Sequence, residues 1–433
     1  MKKFLIIMLI VFVSISILCL QGFAQTKTIV FITPETDPLS IKLDNSFINR
    51  FEEEHPGVKV NITHSDIGGM LTKVSAQLRA GTAPDVAFFT PRYVAQLAEQ
   101  GFLLPLDDLF EDIGDINRKY VTSTLDGKIY NIPISANNFL IYYRTDLLEK
   151  AGIKPPTTFN ELLEAAEALT LDIDGDGNID QYGISLPGGI PLNWGFFASF
   201  MWSNGGEFFD KNKNVTIDSP EAIEALDFLG KLSKFAPPSM VLDRTSETQI
   251  QFARGISAMG ILYGRIFATI NQYNPEISSK IDVITIPIGP SGTKSFERLT
   301  FDCFVVFSGT KYPDIAKEFI KSYISGDHYL DFLLSVPGHL LPIRSSWADN
   351  PKYFENPEIK KYGDIIKKTI TDIMPKYGTD IDRRFDGVNI YLAQAIADPT
   401  LTTEINKFFL GNVTAEQTLK NVANSWRKKF NIE

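Results

Sequence analysis

The sequence predicts an α/β fold divided into two lobes. Segments with strand patterns alternate with helical segments from residue 28 to residue 100, an order that is typical of a largely parallel sheet with helices on both faces. The chain has 433 residues, of which 44% are apolar. That length exceeds what one hydrophobic core usually serves, so two lobes are expected.

Three strand and helix units open the fold. Short apolar or alternating runs bounded by Pro, Gly or acidic residues predict strands at 28–32, 58–62 and 85–89. Helices are predicted after them, around Phe47 and Phe51, at 70–79 and at 93–100. The ligand crevice of such a sheet lies beyond the carboxyl ends of its strands. The loops at 33–36 and 90–92 are therefore expected to face the ligand.

Later segments also have clear helix starts. Thr157 or Thr158 caps a predicted helix that ends at Leu169, and Ser219 caps another that ends before Pro237. A strand is predicted at 258–262. The C-terminal third is predicted to be helical near 313–325, 357–373 and 415–430.

The first residues have the pattern of a secretory signal, with charges at Lys2 and Lys3 and an apolar run at 4–20. Small residues at Gly22 and Ala24 predict cleavage after Ala24, so residues 1–24 are assigned to the signal peptide. The mature protein is therefore expected to be periplasmic or otherwise extracytoplasmic.

Two alternatives to simple secretion stay open. Lipidation would use Cys19, although Leu18 precedes it where that processing favours a small residue. Retention of residues 4–20 as a membrane anchor is less well supported, because a small-residue cleavage site follows them. No later segment of similar length lacks charges, so the membrane is expected to be reached through a partner.

Charge and cysteine content exclude some classes of function. The net charge of −10 disfavours nucleic acid as a partner. Cys303 is the one cysteine left after cleavage, so no intrachain disulfide is expected. It lies in an apolar run and is predicted to be a small buried residue without a functional role.

Several short segments are each common in proteins, but the order in which they occur along this chain is typical of one protein family. Residues 126–133, with the sequence Asp-Gly-Lys-Ile-Tyr-Asn-Ile-Pro, are followed by similar segments at 142–148 and 151–153. The others are 51–60, 80–86, 103–107, 252–260, 338–344 and 411–416. In this order they resemble, over nearly the whole mature chain, the extracellular solute-binding proteins of ABC importers, specifically the sugar-binding group that includes maltodextrin-binding proteins.

The resemblance implies a periplasmic-binding-protein clamshell of two interleaved α/β lobes joined by a multi-crossover hinge. It places lobe one at 25–136 and 296–344, and lobe two at 137–295 and 345–433. It implies a monomer that closes on a sugar and delivers it to the permease subunits of an ABC importer. No catalytic activity is implied, and no cofactor for chemistry is required.

Sugar sites combine flat aromatic rings with polar groups that bind hydroxyls, and both kinds of residue fall at expected cleft positions. Packing, turn formation and solvated loop charge are the ordinary roles of such residues. Some of these positions follow the first three strands, and the others are placed by the resemblance. The candidate ligand-binding residues are Glu35, Asp66, Arg92, Asn137, Asn138, Trp194, Tyr263, Arg265, Asp302 and His339.

An acidic loop on lobe two has the spacing of a calcium-binding loop. Its candidate ligands are Asp172, Asp174, Asp176, the backbone carbonyl of Asn178, and Asp180. Gly183 stands where such loops usually provide a bidentate Glu, so other oxygens would have to complete the coordination shell. The alternative is an acidic turn that binds no ion.

The sequence leaves two other functions open. A secreted glycoside hydrolase would also handle carbohydrate, but the sequence contains no HExxH, GxSxG, P-loop or GxGxxG motif. A solute-binding protein for a peptide, metal or small anion would keep the fold and change only the cleft.

Overall fold

The computed structural model describes residues 26–65, 67–121, 124–191, 193–380, 389 and 391–432. The predicted signal peptide and Asp66 lie outside these residues. Within them, no helix combines the length and apolar character that crossing a membrane requires.

Most strands belong to one twisted sheet with the order β2-β1-β3-β10-β6-β8-β7. In addition, β11 pairs with β10, β9 pairs with β6, and β4 and β5 form a separate pair. The strands are β1 (Lys27–Thr33), β2 (Val58–His64), β3 (Val86–Phe89), β4 (Thr124–Leu125), β5 (Lys128–Ile129), β6 (Ile132–Arg144), β7 (Tyr182–Ser185), β8 (Ser257–Tyr263), β9 (Ile281–Ile284), β10 (Glu297–Val306) and β11 (Gly378–Asp380).

Helices cover the faces of this sheet and form the C-terminal region. They are α1 (Pro38–Glu54), α2 (Ile67–Ala80), α3 (Pro91–Glu99), α4 (Asp107–Ile113), α5 (Thr145–Ala151), α6 (Phe159–Ala168), α7 (Asn193–Ser203), α8 (Pro220–Leu232), α9 (Thr245–Ala253), α10 (Ile266–Tyr273), α11 (Pro313–Tyr323), α12 (Gly326–Ser335), α13 (Ser345–Ala348), α14 (Pro351–Phe354), α15 (Pro357–Lys361), α16 (Gly363–Lys368), α17 (Met374–Tyr377), α18 (Leu392–Ile396), α19 (Pro399–Phe409) and α20 (Ala415–Phe430).

The two helix starts predicted from capping residues are confirmed. Thr158 Oγ1 caps α6 by accepting the N–H of Glu161, and the Glu161 carboxylate accepts the N–H of Thr158. The two hydrogen bonds form a capping box. Ser219 caps α8 by accepting the N–H of Ala222. The segment predicted as one helix at 357–373 is instead α15 and α16 followed by a π-helical stretch, Thr369–Ile373.

The prediction of a largely parallel sheet is wrong beyond the first three strands. β1 pairs in parallel with both β2 and β3, as expected. β10 then pairs antiparallel with both β3 and β6, and β6 is antiparallel to β8 and β9. These pairings join segments far apart in sequence, and no local pattern identifies such partners. The result is a mixed sheet.

The sheet consists of two halves joined where β10 pairs with β6. One half contains β1, β2 and β3, and a cluster that includes Phe31, Phe51 and Phe319 packs on it. A second cluster, with residues from 139–296 and 392–426, fills the other half. A third lies between the first half-sheet and α2 and α3, and contains the buried free Cys303. The molecule is therefore a two-lobed α/β protein, and the exact lobe boundaries stay predictions.

Candidate ligand-binding cleft

Three side chains on neighbouring strands share one face of the sheet where the halves meet. Arg298 on β10 lies opposite Phe139 on β6, and Phe139 lies opposite Tyr263 at the end of β8. Residues directly opposite each other in antiparallel strands project from the same face. The strand register therefore brings together residues 139, 263 and 298.

Aromatic rings surround the guanidinium of Arg298. Its Cζ lies 4.7 Å from the ring centre of Phe139, 5.5 Å from that of Trp194 and 5.6 Å from that of Tyr263. Trp194 comes from the first turn of α7 and is 6% exposed. With Pro187 and Thr245 these residues line a cavity of about 20 Å³, which is room for roughly one water molecule.

A carboxylate lies farther along β10. Asp302 accepts hydrogen bonds from Ser135 Oγ at 2.7 Å and from Asn137 Nδ2 at 3.3 Å. Burial raises the pKa of Asp302 above its usual value, while these two hydrogen bonds and the charge of Arg265 lower it. The Oδ1 atoms of Asn137 and Asn138 have no hydrogen-bond partner. Because these asparagines are neighbours on one strand, their side chains point to opposite faces.

Glu35 lies in the loop after β1, where the crevice rule places a ligand contact. Its N–H donates to Thr33 Oγ1, and its carboxylate accepts from Ser40 Oγ at 3.4 Å. Burial raises the pKa of Glu35, the charges of Asp302 and Asp37 raise it further, and Arg265 lowers it. Glu35 and Asp302 are thus close enough to interact electrostatically, although they are far apart in sequence.

Arg265 and His339 are the remaining described candidates near these acids. Arg265 is exposed at the start of α10. Burial, together with the charge of Arg265, lowers the pKa of His339 to about 3, so this imidazole is neutral at pH 7. The ring of His339 meets that of Tyr263 edge-on, with 6.1 Å between ring centres.

Not every predicted position can be placed. Arg92 lies in the first turn of α3, not in a loop as expected, and its side chain is outside the described residues, as is Asp66. Coulombic, ring or hydrogen-bond contacts connect most of the described candidates in two groups: Glu35, Asn137, Arg265, Asp302 and His339 around the acids, and Trp194 and Tyr263 around Arg298. The ring contact of His339 with Tyr263 joins the two groups. Asn138 lies on the opposite face of β6 and belongs to neither.

The predicted calcium loop lies apart from the cleft groups, between α6 and β7. Carboxylate oxygens of Asp172, Asp174 and Asp176 all lie within 4.8 Å of one another, and the three residues are exposed. Asp180 Oδ2 accepts the N–H of Ile173 at 2.7 Å. Asn178 Nδ2 donates to Asp176 Oδ2 at 3.0 Å. The donor set fits a hard cation in chemistry, because it consists of oxygens that converge on one point.

The chain matches the family model described as "Bacterial extracellular solute-binding protein" over residues 38–335. The chain belongs to this family. Members bind a solute and are not enzymes, so the predicted absence of catalysis is confirmed. The predicted extracytoplasmic location is confirmed at the level of the family, whose members are extracellular or periplasmic.

Relatives of this solute-binding protein cover most of its length. It is 24% identical over 399 residues to the putative ABC transporter periplasmic-binding protein YcjN of Escherichia coli (strain K12), covering 89% of this chain and 90% of the relative. It is 27% identical over 343 residues to the diacetylchitobiose binding protein DasA of Streptomyces coelicolor, covering 77% and 76%.

A solved structure shares the fold of this solute-binding protein. Maltose-bound T. maritima MalE3 superposes with a TM-score of 0.73 at 22% identity, covering 94% of this chain and 100% of that one. The clamshell predicted from the resemblance is thereby confirmed.

Sequence reasoning missed two residues that build the cleft of this solute-binding protein, Phe139 and Arg298. Phe139 lies next to the predicted Asn138, and its apolar neighbours gave it no distinguishing pattern. Arg298 had a weak signal, because Glu297 and Arg298 are adjacent charges at the start of a largely apolar strand. Recognising it required the register that places β10 against β6.

Proposed function

We propose that this protein binds a saccharide in the cleft between its lobes and delivers it to the permease of an ABC importer. The observation that carries the proposal is the pairing of rings with polar groups at the junction of β6, β8 and β10. Tyr263 offers a partly exposed ring for the C–H side of a sugar, with buried Phe139 and Trp194 beside it around Arg298, while Asp302 and Asn137 offer hydroxyl partners.

The relatives support the same ligand class. One is named for binding diacetylchitobiose, and another is named as an ABC transporter periplasmic-binding protein. Neither name identifies the sugar for this chain. The permease subunits are its expected partner, and it is expected to act as a monomer.

Closure of the two lobes is the signal that the protein gives to its permease. A ligand that contacts both lobes binds the closed form better than the open form, and only this difference in affinity shifts the equilibrium. Glu35 and Asp302 come from one side of the cleft, whereas Trp194 and Tyr263 come from the other. A saccharide that contacts both groups therefore favours closure.

Thermal unfolding of residues 25–433 with a panel of mono- and oligosaccharides tests the proposal. A ligand at about 100 times its Kd stabilises the folded state by roughly 2.7 kcal/mol, so a bound sugar is expected to raise Tm by several degrees. The same samples are assayed for new reducing ends. Their appearance would replace the proposal with a glycoside hydrolase, and no shift with any sugar would favour a non-sugar solute.

We further propose that residues 1–24 are removed as a signal peptide, with Gln25 as the first residue of the mature protein. The support is the small-residue pattern at Gly22 and Ala24. Mass spectrometry of the exported protein tests this cut, because lipidation at Cys19 would leave a longer and heavier chain.

We also propose a structural role for calcium in the loop between α6 and β7. The convergence of Asp172, Asp174 and Asp176 supports it. These side chains, the carbonyl of Asn178 and Asp180 would hold the ion. Bound calcium would relieve the repulsion among the carboxylates, and it would take no part in ligand chemistry.

A further inference from the structure

Arg298 is a buried cation that has no ionic partner among the described residues. The residue is 5% exposed, and within the described part of the chain its Nε has no hydrogen-bond partner. Its Nη2 donates to Tyr263 Oη, which is a neutral group. By contrast, Arg144, Arg344 and Arg427 each bind a carboxylate. Within the part of the chain that the structure describes, no carboxylate forms an ion pair with Arg298.

Glu297, its neighbour in sequence, does not neutralise this charge. Successive residues of a strand point to opposite faces, so Glu297 lies on the other side of the sheet. The Coulombic interactions of its carboxylate are with Lys119, Tyr120 and Tyr142, all of them on that other side. The face that carries Arg298, Phe139 and Tyr263 therefore has a positive charge that no described carboxylate neutralises.

The surroundings of the guanidinium favour an anion. A Cβ atom added at Gly195 would lie 2.8 Å from Arg298 Nη1, so the glycine lets the first turn of α7 approach the guanidinium. The N-terminal end of a helix carries partial positive charge. Two positive groups thus meet at one cavity. Cation–π contacts with the rings offset only part of the cost of burying the charge.

We propose that Arg298 binds the carboxylate of an acidic saccharide, such as one that contains a uronic acid. The inference rests on the proposed saccharide binding and names the class of sugar. A guanidinium donates charge-assisted N–H bonds to a carboxylate oxygen, and its charge does not depend on pH in the physiological range.

The size of the cavity limits which part of a ligand can enter it. With room for roughly one water molecule, it accepts a carboxylate oxygen but not a sugar ring. The ring of the saccharide then lies outside the cavity, toward Tyr263, His339 and the group around Asp302. A phosphate group, which has three terminal oxygens, would need the cavity to widen.

A competition experiment tests this assignment. The purified mature protein is incubated with one pool of oligosaccharides from partial hydrolysis of pectin, glucuronoxylan and starch, which contains both neutral and uronate-bearing members. Bound sugars are then recovered and identified by mass spectrometry. We expect uronate-bearing sugars to be enriched by about tenfold or more over neutral ones.

Variants assign the preference to one side chain. Arg298→Gln is expected to capture acidic sugars no better than neutral ones. Arg298→Lys is expected to keep a reduced preference, because lysine retains the positive charge but lacks the planar set of N–H donors of a guanidinium. Arg254→Gln is the matched control. Arg254 is exposed and its Cζ lies 4.7 Å from the ring centre of Tyr273, so the change removes a charge over a ring elsewhere.

The outcomes separate this inference from the proposed function. Capture of neutral sugars alone, or an acid preference that survives in Arg298→Gln, overturns the role of Arg298 and leaves saccharide binding standing. Capture of no sugar contradicts both. If Arg298→Gln does not fold, the enrichment by the wild-type protein and by the Arg298→Lys variant still tests whether Arg298 binds the carboxylate. Glucose 6-phosphate, added as a competitor, tests whether the site prefers phosphate to carboxylate. If it displaces bound uronates at a concentration lower than theirs, the site is assigned to phosphate.

Discussion

Asp44 illustrates how a single buried side chain shapes the pH response of this protein. It lies on α1 and is 2% exposed. Tyr323 Oη donates to its Oδ1 at 3.0 Å, while Oδ2 has no hydrogen-bond partner and lies 3.9 Å from His64 Nε2. Burial lowers the pKa of His64, which limits its charge. Burial raises the pKa of Asp44 from 3.8 to about 7, with smaller contributions from Glu35 and Asp37.

The raised pKa means that the folded state binds a proton more tightly than the unfolded state. Stability therefore falls as the pH rises from about 4 through about 7, and the cost of the buried carboxylate is fully present above that range. Asp44→Asn removes the charge and keeps an acceptor for Tyr323. We expect it to increase the free energy of unfolding by roughly 1–3 kcal/mol at pH 8.

Urea unfolding at pH 8 and pH 5 checks this prediction, with Asp331→Asn on the exposed side of α12 as the control. The gain should shrink toward pH 5, where Asp44 is mostly protonated in the folded wild-type protein. An equal gain at both pH values, or a loss at pH 8, would contradict the assigned cause.

Some side-chain positions could be predicted and others could not. Glu35 and Asp302 were placed near the ligand by the strand-end rule and by the resemblance, and the structure brings them within electrostatic range of each other. Arg298 and Asp44 were missed because burial of a charge depends on what packs over it. The rings around Arg298 come from segments that are 35 to 159 residues away along the chain, and nothing in the sequence near Arg298 indicates them.

At the scale of elements, local signals predicted helix starts well because caps depend on adjacent residues. Thr158 accepts the N–H of Glu161 at 3.3 Å, and the Glu161 carboxylate accepts the N–H of Thr158 at 3.1 Å. Thr158→Ala removes the side-chain oxygen that accepts the N–H of Glu161 in this capping box. It is expected to lower the free energy of unfolding by about 1 kcal/mol.

Chemical denaturation of the variant, followed by far-UV circular dichroism, measures this loss. Glu164→Ala, on an exposed position of the same helix, should change stability by less than about 0.5 kcal/mol. Equal effects of both substitutions would show that the cap contributes no more than an ordinary surface residue.

The strands illustrate what local signals do not contain. The apolar pattern of β1 and β3 predicted their existence, and β1 pairs in parallel as expected. The direction and neighbours of β10 depend on β3 and β6, which are more than 150 residues earlier in the chain. Hydrophobic pattern identifies a buried strand but not its partner, so the sheet was predicted to be more parallel than it is.

The acidic loop after α6 is an element whose order should depend on calcium. With Ca²⁺ present, we expect Tm to be a few degrees higher than in EDTA, because an ion that binds only the folded state stabilises it. The missing Glu at Gly183 predicts weak affinity, with Kd on the order of 10⁻⁴–10⁻³ M. Asp174→Asn removes one converging carboxylate and should abolish most of the shift.

Asp227→Asn serves as the control for that measurement, because Asp227 is exposed on α8 outside the loop. Its calcium response should equal that of the wild-type protein. A wild-type protein whose Tm is the same in millimolar Ca²⁺ and in EDTA would mean that the loop is an acidic turn and not an ion site.

At the scale of the whole molecule, the proposed closure depends on how closely the two halves approach. Gly264 follows β8, and a Cβ atom added there would lie 1.9 Å from the carbonyl oxygen of Gly338 and 2.9 Å from His339 Cα. We assign Gly338 and His339 to lobe one and Gly264 to lobe two. Because the neighbouring atoms are backbone, a side chain at 264 can be accommodated only if the two segments separate.

Gly264→Ala is therefore expected to hold the cleft open. We expect the affinity for the bound saccharide to fall by about tenfold or more, since closure is what improves ligand contacts. Small-angle X-ray scattering with and without saturating sugar should show a smaller decrease in radius of gyration for the variant than for the wild-type protein. Gly309→Ala is the matched control, because a Cβ atom there meets nothing within 4 Å and Gly309 has no positive φ. A variant that closes fully and binds normally would mean that residues 264 and 338 move apart without cost, and that closure is limited elsewhere in the hinge.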